Sequence, residues 1–386
     1  MDNQIVTLSD ISVGGKGSYG IAASAVPFSD NLFTYLRITD INDDGTLNLQ
    51  DLKSVDDDRA KDYLLAPNDI VFARTGASTG RNYFYDGTDG EFVYAGFLIK
   101  FSIDSIKVNP KYIKYYCQSK QYKDWINSFN TGSTRGNINA QTLGKMPIPF
   151  INRNQQDALV SILSSIDEKI RSNTEINCNL EQQAQALFKS WFVDFEPFGG
   201  NMPSRWGKST LGEVSDMSAG GDKPEIISAS RTEKTTIPIF SNGLSDEGLY
   251  GYTDKARITE ESVTVSARGT IGYVCLRQEP FVPIVRLVTL VPHNNVVSAK
   301  YLYLWLKNLH IAGTGTTQQQ LTVPDFKKTE ILIPDIETVR RFTEIVNPMY
   351  LLLYSNKEEN TRLSTLRDTL LPKLMNGEID VSEVEI

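Results

Sequence analysis

The stretch SNTEINCNL, Ser172 to Leu180, returns 183 residues later as SNKEENTRL, Ser355 to Leu363. A chain that repeats itself at so long a period is constrained to two similar structural units before any other feature is weighed. Each copy lies inside an apolar series. From Leu159 the positions 159, 163, 166, 170, 173, 177, 180, 184, 187 and 191 give Leu, Leu, Ile, Ile, Asn, Asn, Leu, Ala, Leu and Trp. From Phe342 the identical spacing gives Phe, Val, Met, Leu, Asn, Asn, Leu, Arg, Leu and Leu. Alternating steps of four and three mark the seam of a long helix packed along another helix. One such helix alone would more often pack on its own domain; two matched seams with central amides point to each other. An unpartnered buried amide costs about 1–3 kcal/mol. Antiparallel pairing answers this by setting Asn173 opposite Asn360 and Asn177 opposite Asn356, so that the amides fix register and orientation at some cost in stability. Arg367, also in the seam, must snorkel or find a partner.

The rest of the chain repeats more loosely. TGSTRGNI from Thr131 aligns with TGTTQQQL from Thr314, and KMPIP precedes the first helix as TEILIP precedes the second. NPKYIKYYC at Asn109 resembles SAKYLYLWL at Ser298, and VTLSDISVGG at Val6 resembles STLGEVSDMSAGG at Ser209. Leu8 and Lys111 are 103 positions apart, Leu211 and Lys300 only 89, so the first copy is longer inside its globular part. Strand-like runs DIVFA, FLIKF, SVTVSA and VRLVTLV, separated by Gly, Asp and Pro turns, imply mixed α+β (α/β) domains. The expected organisation is a first globular domain at 1–154, a long helix at 155–192, a junction at 193–208, a second domain at 209–336, a second long helix at 337–378 and a frayed acidic tail at 379–386. A helix of about 33 residues extends roughly 50 Å, more than one turn of B-DNA at about 34 Å.

Charge narrows the function classes. The formal net charge is -8, yet residues 1–154 carry 16 basic against 17 acidic side chains and residues 209–336 carry 12 against 14. Nucleic-acid binding by these near-neutral domains would rest on local basic clusters and not on bulk charge. Three cysteines, neither even in number nor clustered, argue against a disulfide framework or zinc site and for a reducing compartment. No basic, apolar leader is seen and no apolar run approaches the roughly 18 residues that span a bilayer, so the expectation is a cytoplasmic protein without membrane contact. His293 and His310 lack ligand neighbours at metal spacing, and no metal site is expected. MPSRWGKS ends like a phosphate loop, but Met202 stands where the leading Gly is required. GASTG at Gly76 and GTIG at Gly269 could cradle phosphates, although a tight turn is the commoner use. No cofactor-binding turn and no amino-methyltransferase Asn-Pro-Pro-Tyr or Asp-Pro-Pro-Tyr stretch occurs, so no catalytic residue is expected.

TGSTRGNINAQTLGKMPIP and TGTTQQQLTVPDFKKTEILIP each lead into a long helix; VSARGTIG at Val265 has a looser copy in FARTGASTG at Phe72; QALFKSWFVDFEP begins at Gln185. In these stretches the chain resembles the specificity subunit of Type I restriction-modification systems, over nearly its whole length. The resemblance implies two target-recognition domains separated by two long antiparallel coiled-coil helices in a pseudo-two-fold tandem repeat. It implies a non-catalytic subunit of a methyltransferase/endonuclease, each domain reading half of a bipartite asymmetric target in double-stranded DNA. Partners would be two methyltransferase subunits and, through the complex, restriction/translocase subunits, with S-adenosylmethionine, ATP and Mg held on those partners and no cofactor here. Candidate DNA contacts are Arg74, Arg81, Arg135 and Asn137 in the first domain and Arg268, Gln318, Gln319 and Gln320 in the second, since Arg reads guanine and Gln adenine by paired hydrogen bonds. Each alone is as readily an ordinary solvated side chain. Phe188, Trp191 and Phe192, with Phe195 and Phe198, either dock a methyltransferase or cap the next domain's core. The rival readings are a coiled-coil scaffold that reads no DNA and a DNA-binding subunit of another defence system.

Overall fold

The structure, a computed structural model, describes residues 4–49, 51–129, 137–311, 320–379 and 381. The chain divides into two units, residues 1–171 with 359–386 and residues 172–358. The expected segments are thus regrouped: each unit takes its globular part together with a portion of each long helix.

In the first unit an antiparallel ribbon joins Gln4–Thr7 to Pro147–Phe150. Beside it runs a four-stranded antiparallel sheet in the order Ser18–Tyr19, Leu98–Ser102, Asp69–Ala73, Asn82–Tyr85. A second sheet, in the order Ala25–Pro27, Lys53–Val55, Phe33–Leu36, Phe92–Tyr94, closes with one parallel pair. The second unit repeats the plan. Its ribbon joins Gly207–Thr210 to Glu330–Ile333, and its main sheet runs Ser215–Ala219, Val288–Pro292, Ser262–Val265, Val274–Arg277. Its smaller sheet has three strands, Leu249–Thr253, Ile237–Phe240 and Val282–Pro283. Where the first unit has the edge strand Ala25–Pro27, the second has a bridge, Ser228 to Tyr252; most of the first copy's extra length lies instead between the strands Phe33–Leu36 and Asp69–Ala73.

Equivalent residues lock the equivalent pieces. The helix Pro110–Tyr116 is capped by Asn109, whose side chain accepts from the Lys111 amide, and the helix Ala299–Lys307 by Ser298, which accepts from Tyr301. Such caps satisfy amides that the first helical turn leaves without partners. One turn on, the buried Tyr112 hydroxyl donates to the Pro149 carbonyl at 2.6 Å, and that of Tyr301 to Leu332 at 2.7 Å. In each unit this ties the helix to the ribbon.

The long helices are Arg153–Phe192 and Ile336–Met375. Every residue of the two seams is buried or half-buried. Within the first unit Asp167 pairs with Arg367 at 3.2 Å, Lys169 with Glu359 at 3.3 Å, and the Asn360 amide donates to the Ile170 carbonyl at 3.4 Å. One index rises as the other falls, so the helices run antiparallel. Within the second unit the Asn356 amide donates to Asn177 Oδ1 at 2.9 Å, and Asn177 donates onward to the Leu353 carbonyl at 3.3 Å. Arg367 finds its partner in Asp167, which also receives Lys114 and the Tyr115 hydroxyl, each at 2.9 Å.

Three expectations change. The tail is not frayed where it is described: Gly377, at φ +71°, ends the second long helix, and Val381 is buried in the first unit's core. Phe188 and Phe192 are 0% and 2% exposed, packed with Trp206, Tyr301 and Phe342 in the second unit's core. Their rings, which lie 4.9–6.0 Å from those of Tyr301 and Phe342, are unavailable to a docking partner, and half-buried Trp191 joins the same cluster. Finally, VRLVTLV is not one strand. Val285 and Arg286 have φ of +52° and +63°, and the strand begins only at Val288.

Candidate nucleic-acid interface

The central strand of each main sheet ends in a loop that the hydrogen bonds define closely. In the first unit the Ala73 amide donates to the Arg81 carbonyl and the Gly80 amide to the Ala73 carbonyl, enclosing Arg74–Gly80. In the second unit Ser266 donates to Tyr273 and Gly272 to Ser266, enclosing Ala267–Gly272. Gly80 and Gly272, at φ +89° and +85°, close the loops in a conformation that side chains disfavour. Gly76 and Gly269 also have positive φ, and a side chain there would meet open space, so turn geometry and not packing asks for glycine.

These bonds also correct an alignment. Arg74 and Arg268 look equivalent in sequence, but the Arg74 carbonyl accepts from Ile138 while the Ala267 carbonyl accepts from Leu321. Arg74 therefore occupies the place of Ala267, and Thr75, bridged to Asn137, the place of Arg268. The two loops aim their arginines from different backbone positions.

In the first unit the Arg74 backbone is held on both sides, its amide donating to Phe97 at 3.0 Å and its carbonyl accepting from Ile138 at 2.9 Å. Its guanidinium lies 5.0 Å from the centre of the Tyr19 ring, a cation–π contact. Its Nε is buried, with no hydrogen-bond partner among the described residues. Asn137 is exposed. Arg81 is different: it grips Asp43 at 2.7 and 3.2 Å and the Ile41 carbonyl at 3.1 Å. Those donors brace residues 41–43, so Arg81 is a strut of the loop and not a free reader. In the second unit Arg268 is exposed and donates to Gln320 Oε1 at 3.4 Å, bringing two candidates together. Arg135, Gln318 and Gln319 lie outside the described residues.

Sequence reasoning passed over Tyr19, Phe97 and Asn242. Asn242 accepts from the Ala267 amide at 2.8 Å and donates to the Val285 carbonyl at 2.7 Å, stitching the loop to the neighbouring turn. The loop that begins at Asn242 rests in turn on Arg277, which is 4% exposed, donates to the Glu247 carbonyl at 2.7 Å and stacks 3.6 Å over Phe240. Burial pushes the Arg277 pKa down, and the neighbouring Cys275 and Glu247 oppose that push. The only sequence signal was the Asn-Gly pair at 242–243, a common turn former.

A family model described as the Type I restriction modification DNA specificity domain matches residues 4–182 and 203–365. The specificity subunit of the Type I restriction enzyme HindI of Haemophilus influenzae is 25% identical over 397 residues, covering 81% of this chain and 86% of that protein. That of MjaIX from Methanocaldococcus jannaschii is also 25% identical, covering 72% and 71%. The crystal structure of a Type I restriction-modification system S subunit from M. genitalium matches with a TM-score of 0.60 at 18% identity, over 97% of this chain and 96% of that one, which shows a shared fold.

Proposed function

The chain belongs to the Type I restriction-modification DNA specificity family, and from that premise we propose how its two units divide the work of recognising DNA. Each unit reads one half of a bipartite, asymmetric target, while the paired long helices set the spacer and dock two methyltransferase subunits. Restriction/translocase subunits join through that complex, and S-adenosylmethionine, ATP and Mg belong to the partners. The observation that carries this reading is one scaffold built twice with different exposed tips. The same strand, loop and turn present Arg74, Phe97 and Asn137 in one unit but Arg268, Arg286 and Gln320 in the other. Equivalent backbones bearing different donors and apolar groups suit two different half-sites. With a formal charge of -8, affinity rests on these few cations and on partner surfaces, and it should fall with salt in proportion to the phosphates neutralised.

For docking, the buried Phe188 and Phe192 give way to exposed apolar side chains on the second long helix, Leu351 at 57% and Leu352 at 47%. The deciding experiment is the methylome of a host carrying the methyltransferase partner, with and without this chain. A bipartite, non-palindromic methylated motif that appears only with the chain is expected. A palindromic motif, or methylation by the purified chain alone, would overturn the proposal.

A further inference from the structure

We propose that the Val285–Arg286 turn is a specificity-determining element of the second unit, with Arg286 reading a base edge and Asn242 acting as its positioning residue. This rests on the DNA-reading role given above. The turn joins Val282–Pro283 to Val288–Pro292 and is closed by the Leu287 amide donating to the Ile284 carbonyl at 3.1 Å. Both central residues are left-handed, a two-residue turn normally written with Asn and Gly. Val285, β-branched, is among the least suited residues for it. Such a conformation persists only where the surroundings over-determine it, and here they do. The Val285 amide donates to Gly221 at 3.0 Å and the Arg286 amide to Gly220 at 2.8 Å. A side chain on Gly220 would collide with the Ile284 backbone at 2.8 Å, so glycine is required for this close approach. Asn242 holds the Val285 carbonyl from the other side.

The result is an exposed arginine fixed beside the Arg268 loop, since Asn242 also accepts from Ala267. The first unit carries the equivalent turn. There Leu98 donates to Ala95, Gly20 donates to Leu98 as Gly220 does to Leu287, and the residue before Leu98 is Phe97, 60% exposed. Its carbonyl accepts from the Arg74 amide, so this turn too abuts the loop that presents the arginine. One position, next to the recognition loop in each unit, thus holds an aromatic in one copy and an arginine in the other. A scaffold that must tell two half-sites apart varies its chemistry at such a place.

The test uses the full-length chain assembled with its methyltransferase subunits, the host methylome, and binding to duplexes substituted at each position of the target. Arg286→Ala should lower cognate binding roughly 10- to 100-fold and relax the preference at one or two base pairs of a single half-site, leaving the other half-site and the spacer unchanged. Arg286→Lys, which keeps the charge but not the planar fork, should not restore that preference. Asn242→Ala should relax the same positions while the salt dependence of binding stays as in the wild type. An unchanged motif in Arg286→Ala would overturn the proposal. So would uniform weakening across all sequences with a shallower salt slope, which would make Arg286 a phosphate contact. A wild-type complex that methylates no defined motif would sink the underlying reading instead.

Discussion

At the scale of single residues the sequence conceals the positions that are held against their preferences. VRLVTLV has the composition of a strand, and nothing in it announces that Val285 and Arg286 turn left-handed, because the force that holds them there comes from Gly220, Gly221 and Asn242, over 40 residues away. A left-handed backbone costs a non-glycine residue about 1–2 kcal/mol. Val285→Gly should therefore raise the denaturation midpoint of the full chain, with a gain of about 1 kcal/mol after glycine's entropic penalty; an unchanged or lower midpoint in urea would contradict the strain. Arg367 is the opposite case, legible as a misfit in an apolar seam although its partner was not. Burial pushes the Asp167 carboxyl up, but Lys114, Tyr115 and Arg367 together hold it below the ordinary carboxylate range. The stability this supplies is complete above the unfolded value of about 4 and is lost as pH falls through the lower folded value. Asp167→Asn should cost about 1–3 kcal/mol at neutral pH, because it leaves the half-buried Lys114 and Arg367 under-paired. Its deficit should shrink below about pH 4, as acid titrations of both proteins by circular dichroism would reveal.

At the scale of elements the helices were the most legible part, because periodicity over ten seam positions specifies a buried face without any knowledge of the partner. Orientation was legible from the central amides, and the structure adds what they bond. Asn356 donates to Asn177, which itself caps the Leu353 carbonyl. Replacing either asparagine alone by Leu strands its partner's polar atoms, whereas replacing the pair removes the need for them. Each single substitution should cost about 1–2 kcal/mol, and the double should cost less than the sum, with a coupling of about 0.5–3 kcal/mol; additive costs in a double-mutant cycle would argue against the bond. The aromatic cluster was less legible, since core and docking surfaces use the same residue types and only burial separates them. With Phe188 and Phe192 inside, the proposed docking role falls to the exposed leucines of the second long helix. Leu351→Asp with Leu352→Asp should leave the thermal midpoint nearly unchanged and weaken methyltransferase binding at least tenfold by calorimetry, equivalent to about 1.4 kcal/mol. Wild-type binding in that variant would place the docking face elsewhere.

At the scale of the whole molecule the proposed function assigns recognition and distance to different elements, so that a mutation can address one without the other. The side chains that distinguish the units sit on loops and turns at the ends of short strands, where exchanging Phe97 for Arg286 leaves the sheet order intact. The first long helix is an uninterrupted run of 40 residues, Arg153–Phe192, that belongs partly to each unit. Its length follows from the number of its residues at about 1.5 Å each, whatever the loops contain. Four residues inserted after Glu175 add one turn, roughly 6 Å, at most about two base pairs at 3.4 Å. Because neither set of loops is touched, the bases specified in each half-site should stay the same. The spacer between them should grow by one or two base pairs. The insertion also shifts the heptad seam past Asn177 relative to Asn356, so reduced methylation overall is expected, since a four-residue insertion is a stutter in the packing. The comparison to make is between the methylomes conferred by the two chains, read for half-site and spacer separately. An active insertion variant that keeps the original spacer, or that changes the specified bases, would show that the helix does not set the distance.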